Sequence, residues 1–214
     1  VSIAATVPVR AAAKGTRAAA AAHSRAARQR ERILDAAEIC FIHSGFHGAS
    51  MADVATTAGM SAGLIYRYFD GKSAIVKAII ERHIESDECK AIGLKSPADV
   101  INSMLDIFER WRRGDDPKFN PVLLLELSAE ASRDAQIAKA VRSSDQIIGG
   151  DIAQALRCCA QANGVALTAA DARSGAVVLQ CLMEGMAMRV VRDPKLRRGT
   201  LLPALTKIVA ALMG

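Results

Sequence analysis

The chain has 214 residues, 51% of them apolar and only 4% aromatic, with a formal net charge of +6. That size and composition suit one large or two small helical domains with an ample core, and the shortness of its apolar runs argues against a membrane span. The charge is uneven: residues 1–30 carry Arg10, Lys14, Arg17, Arg25, Arg28 and Arg30 and no acid, leaving 22 basic residues against 22 acidic ones beyond.

Residues 1–23 read as a basic, Ala/Arg-rich arm, expected to be disordered. Val1 to Val9 is too short for a secretory core. The arm either adds positive charge along a nucleic-acid backbone or is an idle extension. Helix 1 is expected over Ser24–Ser44, with Ile33, Leu34, Ala37, Cys40 and Phe41 inward and Gly45 at its end. Ser50 then caps a short helix from Met51 to Ala58, its hydroxyl accepting an orphan amide of the first turn. Gly59 stands just past the last helical residue, where a positive φ is easy only for glycine. Ser61 caps the next helix, which turns Leu64, Ile65, Tyr68 and Phe69 inward or to the rim. Ala62, Gly63, Tyr66 and Arg67 face out. A capped helix, a glycine turn and a second short helix with small, polar and aromatic outward residues form a DNA-binding helix-turn-helix. Asp70-Gly71 ends that helix, and Lys72 opens a fourth, with Ile75, Val76, Ile79, Ile80 and His83 on one face to about Ala91. Gly93 to Pro97 divides the chain, giving a DNA-binding domain over 24–92 and a second helical domain over 96–214.

The second half carries no strand pattern. Ser96-Pro97 is a cap followed by a first-turn proline, opening a helix to Arg113 with Ile101, Met104, Leu105, Phe108 and Trp111 on one side. Helices follow over Pro121–Ser132, Asp134–Asn163, from the Thr168 cap to Arg192, and Thr200–Met213. Gly149-Gly150 falls inside the long one. Two glycines there disfavour helix by about 2 kcal/mol relative to alanines, so close helix approach, a kink or a break are all open readings. Ala176 to Val191 is apolar almost all round, which implies core on one side and a subunit interface on the other. The fold class is all-α: a three-helix helix-turn-helix domain plus a helical dimerisation domain, about nine helices in all.

The stretch from Ser50 to Lys72, SMADVATTAGMSAGLIYRYFDGK, resembles the TetR/AcrR family of bacterial regulators. The family pattern of a Ser or Thr, AxxAGV, SxGxLYxHF and a Lys three residues on is matched with Ile65 and Tyr68 as mild departures. The likeness reaches back through Arg32–Ala37 and Gly45-Phe46 and forward to about Arg82. The segment Leu182–Arg189 also resembles regulators related to the betaine-synthesis repressor. The resemblance implies a homodimer, paired through its last two helices, that binds a near-palindromic double-stranded DNA operator. It also implies an unidentified small-molecule effector, most often relieving repression.

By family position, Tyr66, Tyr68 and Lys72 hold phosphates. Ser50 and Ser61 cap the two helices, and Ala62, Gly63, Leu64 and Arg67 face the bases or the groove wall. Arg67 is the long donor suited to guanine, or else one more phosphate contact. An effector cavity is expected from Met104, Phe108, Trp111, Phe119, Leu124, Leu125 and Met183, with Glu126, Gln180, Glu184 or Arg189 orienting a polar group. No catalytic set, cofactor motif or metal site is expected; Cys40, His43 and His47 have a loosely metal-like spacing that Gly45 interrupts. Five cysteines without framework spacing suit a reducing cytoplasm. The rival reading is a small-molecule-binding or enzymatic helical protein whose helix-turn-helix no longer reads DNA.

Overall fold

The computed structural model describes residues 10–85, 94–114 and 120–213, with side chains from residue 24 onward. Among them nine helices follow in order: α1 Arg10–Gly48, α2 Met51–Ala58, α3 Ala62–Tyr66, α4 Lys72–Glu85, α5 Pro97–Arg113, α6 Pro121–Ala131, α7 Ala135–Ala162, α8 Ala169–Arg192 and α9 Arg198–Leu212. The first departs from expectation. Helix extends from Arg10, so residues 10–23, expected as a disordered arm, continue α1. Alanine and arginine are among the strongest helix formers, and a preformed helix downstream supplies the nucleus that such a segment needs to propagate. The expected end of α4 near Ala91 lies outside the described residues. The reading helix α3 stops at Tyr66 rather than Phe69, its last turn tightening through Tyr68 N–H to Ile65 O at 2.8 Å.

Two cores organise the bundle. The first joins α1 to α4 around Ile33, Leu34, Phe41, Val54, Ile65, Ile75 and Ile79. It also takes in Leu123 and Leu127 of α6 and Ile137 of α7, so α6 and the head of α7 pack beneath the helix-turn-helix. The second gathers α5, α7, α8 and α9 around Leu105, Phe108, Leu156, Leu179, Ala187 and Val209.

Polar anchors cross between elements. Glu38 of α1 is only 1% exposed and pairs with Arg82 Nη2 at 2.7 Å and His83 Nε2 at 3.2 Å on α4. Arg82 also reaches Asp35 at 2.7 Å and Glu31 at 3.0 Å, so one guanidinium answers three carboxylates. The Asp134 carboxylate accepts from the amides of Gln136 and Ile137, capping α7, and from Ser73 Oγ of α4 at 2.9 Å.

α7 runs unbroken through Gly149-Gly150. A Cβ built on Gly149 would stand 2.9 Å from Gln180 Oε1, so the bare backbone lets the Gln180 side chain lie across α7. Gly149 thus accommodates a close approach by the Gln180 amide, while nothing lies within 4 Å of a Cβ at Gly150. α8 corrects a further expectation: by length and composition it is apolar enough to cross a membrane. Such helices also serve as core helices of bundles, and α8 packs on α5, α6, α7 and α9. Its outer side leaves Val177, Val178, Met188 and Val191 exposed.

Candidate nucleic-acid interface and effector cavity

The reading head begins at a bend. Gly45 turns the end of α1 with φ 69° and ψ 167°, a backbone outside the helical region and strained for any residue with a Cβ. The corner it creates, residues 45–49, is gripped from outside. Glu126 Oε2 of α6 accepts the Phe46 amide at 3.0 Å, and Glu130 Oε1 lies 2.9 Å from His47 Nε2. Lys72 Nζ of α4 donates to the carbonyl oxygens of Phe46 at 2.6 Å and Ala49 at 2.9 Å, and rests 4.6 Å from the centre of the Phe46 ring.

α2 is closed at both ends. Ser50 Oγ accepts the Asp53 amide at 3.1 Å while Asp53 Oδ2 accepts the Ser50 amide at 2.8 Å, a reciprocal capping box. The Ser50 hydroxyl, donating to Asp53 Oδ2 at 2.7 Å, and then the Ser50 amide hold the Asp53 carboxyl below its ordinary pKa. Gly59 closes the helix with φ 63°, and Arg32 of α1 donates to the Ala58 carbonyl at 2.7 Å.

Ser61 Oγ accepts the Leu64 amide at 3.3 Å and starts α3. Ile65 and Phe69 anchor it in the core, with the Arg30 guanidinium 4.6 Å from the Phe69 ring centre. Ala62, Gly63 and Arg67 are exposed, and Tyr66 is 54% exposed, so the expected outward residues share one face. Leu64 and Tyr68 sit half-buried at its rim, Tyr68 against the first core. A Cβ at Gly63 would meet nothing within 4 Å, so no packing within the chain demands a glycine there. Lys72 differs from expectation: its ammonium is turned inward onto two carbonyls, where it fastens the corner.

The second site is a cavity of about 220 Å³ between α5, α6, α7 and α8. Of the expected residues, Met104, Trp111, Leu124, Gln180, Met183 and Glu184 line it. Phe108 lies behind the wall at 0% exposure, Leu125 is half-buried without lining it, and Arg189 is exposed elsewhere. Glu126 belongs to the corner rather than the cavity. Phe119 lies outside the described residues.

Sequence reasoning missed Asp145, Ile107 and Leu94, which also line the cavity. A signal for Asp145 existed: it stands three residues before Ile148 and seven before Ile152, on the inward face of α7. Burial pushes the Asp145 carboxyl above its ordinary pKa; burial and then the neighbouring Asp145 charge do the same to Glu184. Both residues stay exposed as a whole, which places them at the mouth. Cys40 Sγ meets Thr57 Oγ1 at 3.4 Å, away from His47 and its Glu130 partner, and no metal-ligand cluster forms among the described residues.

Comparison with known proteins agrees with this geometry. Residues 33–79 match the family described as bacterial regulatory proteins, tetR family. The HTH-type transcriptional regulator UidR of Escherichia coli K12 is 30% identical over 129 residues, 60% of this chain and 64% of that protein. The chain thus spans less than two thirds of that relative's length. Salmonella enterica GusR superposes with a TM-score of 0.72 at 23% identity, covering 87% of this chain and 95% of that one. Bacillus subtilis FadR in complex with stearoyl-CoA superposes at 0.64 and 18% identity, covering 84% and 96%. At these identities the two structures share the fold with this chain.

Proposed function

We propose that this chain, whose residues 33–79 match the tetR family of bacterial regulatory proteins, is a member of that family and acts as a dimeric, cytoplasmic repressor of transcription, released from its operator by a small effector. The observation that carries the DNA-reading half is the outward face of α3. Gly63 weakens a helix by about 0.5–1 kcal/mol relative to alanine, and no contact within the chain needs its smallness. A surface that approaches closely from outside, as the edge of a DNA groove does, supplies the need. Tyr66 and Arg67 flank it with a phenol and a guanidinium. Tyr68 and the caps Ser50 and Ser61 border it against the phosphates. With so few polar readers, thymine methyls and DNA shape carry much of the specificity.

The dimer forms through α8 and α9. Val177, Val178, Met188 and Val191 of α8 and Leu202 of α9 leave large apolar side chains exposed. Two such helices from each protomer give a four-helix interface. The two-fold axis then sets two α3 helices in successive major grooves of a near-palindromic operator.

The effector occupies the cavity. FadR, at the same fold, holds stearoyl-CoA. α6 connects the two sites directly: Leu124 forms part of the cavity wall, while Glu126 and Glu130 grip the corner at Phe46 and His47. A ligand that shifts α6 therefore shifts the corner from which α2 and α3 hang. DNA flanking the gene for this protein, titrated with the dimer at two salt concentrations against scrambled competitor, tests the reading. Competitor-resistant binding at two protomers per site is expected. Binding that vanishes with competitor or modest salt would refute operator recognition there.

A further inference from the structure

The wall of the cavity is apolar: Met104, Trp111, Ile148, Leu156, Leu179 and Met183 surround most of it. Against that wall stand two carboxylates, Asp145 of α7 and Glu184 of α8. No lysine, arginine or histidine lines the cavity among the described residues, and neither carboxylate has an ion-pair partner there. The carboxylates buried deepest in this chain, unlike this pair at the mouth, are answered by cations. Glu38 has Arg82 and His83, and Glu130 has Arg133 and His47. Burial disfavours the charge of both carboxylates, and the Asp145 charge further opposes ionisation of Glu184. Like charges against a low-polarity wall, with no internal counter-charge, leave a negative potential that a bound group of opposite sign relieves.

We propose that this cavity selects organic cations, molecules with an apolar body and a protonated amine or quaternary ammonium group that sits between Asp145 and Glu184. The proposal rests on the cavity being the effector site. The apolar body fills the space between Met104, Ile148, Leu179 and Met183. Trp111 in the same wall adds an indole, the ring that attracts cations best. Gln180 completes the recess. Its Nε2 donates to the backbone carbonyl of Asp145 at 3.0 Å, tying α8 to α7 beside the first carboxylate. Gly149 leaves room for the amide to lie there, with Oε1 against α7. The same arrangement rejects carboxylates, sulfonates and phosphates, which meet two like charges and no cation in the wall.

Three probes of one skeleton separate charge from shape: 4-phenylbutylamine, 4-phenylbutan-1-ol and 4-phenylbutyrate, each titrated calorimetrically into the full-length dimer. The amine is expected to bind tightest and the acid weakest, with at least about a tenfold gap between amine and acid. In the Asp145→Asn, Glu184→Gln double variant that gap should close while the alcohol binds as before. The ranking in the unaltered protein stands as a test whether or not the variant folds. An alcohol that binds as tightly as the amine, or an acid that binds tightest, would overturn charge selection and leave the cavity a ligand site. Failure of all three to bind would overturn both the proposal and the effector-site reading on which it rests.

Discussion

Lys72 separates two roles that a lysine at this position can play. In the structure its ammonium donates to Phe46 O at 2.6 Å and Ala49 O at 2.9 Å, with the Phe46 ring 4.6 Å away. Lys72→Met keeps the length and the apolar stem and removes the charge and all three donors. Two carbonyls at the corner then lose a charged partner. Hydrogen bonds to charged groups contribute about 1.5–3 kcal/mol each when partly buried, and the ring contact about 0.5–1 kcal/mol. These terms overlap, and water reaches a side chain that is only half-buried, so a loss of about 2–4 kcal/mol is expected. For a chain of this length that lowers the melting temperature by roughly 5–15 °C. Urea unfolding of the DNA-free protein, followed by circular dichroism, measures it. A lysine that instead held a phosphate would leave the free protein unchanged. Its removal would flatten the dependence of log affinity on log salt by about 0.9, the contribution of one contact. Unchanged stability with that flattened salt slope would refute the inward role.

Gly63→Ala should raise stability by about 0.5–1 kcal/mol, because the site is open and alanine favours helix, while operator affinity falls; equal or better affinity would show that nothing approaches there. Glu126→Ala strips the Phe46 amide of its acceptor, so exchange of that amide with solvent deuterium should quicken about tenfold or more; an unchanged rate would mean that α6 does not hold the corner. The Asp134 carboxyl is held below its ordinary pKa by the Gln136 amide, Ser73 and the Ile137 amide. Its stabilisation is therefore present above the ordinary Asp value of 3.8 and lost as pH falls through the lower folded value. Asp134→Asn should flatten the acid limb of a stability–pH curve in that window; an unaltered limb would remove Asp134 from the account.

The head of the molecule was legible because its signals are local. Ser50, Gly59 and Ser61 act on residues within one turn, and their caps appear as the spacing implies. What escaped depends on which neighbour a helix face meets. A helical period shows that α6 has apolar and polar sides, but α6 touches both the first core and the cavity, and nothing local says that Glu126 points to Phe46 rather than into the cavity. Lys72 escaped for the same reason, because its carbonyl partners lie 26 and 23 residues away. Asp145 was visible as an acid on an otherwise inward stripe of α7, whereas the polar cavity residues were expected on α6 and α8. Gly149 could be flagged as unusual from sequence alone, whereas its cause, the Gln180 side chain, lies on another helix. Helix across residues 10–23 shows composition overriding a tendency to associate charged termini with disorder.

The bend at Gly45 has an evolutionary consequence. The corner beneath the helix-turn-helix is held by three side chains that belong to other helices, Lys72, Glu126 and Glu130, whereas on the proposed reading its sequence preference lies in residues 62–67. On that reading, mutation can retune how strongly the protein responds without rewriting which sites it recognises, and the reverse holds for changes on the α3 face. Duplicated copies of such a gene can diverge in one property while inheriting the other intact.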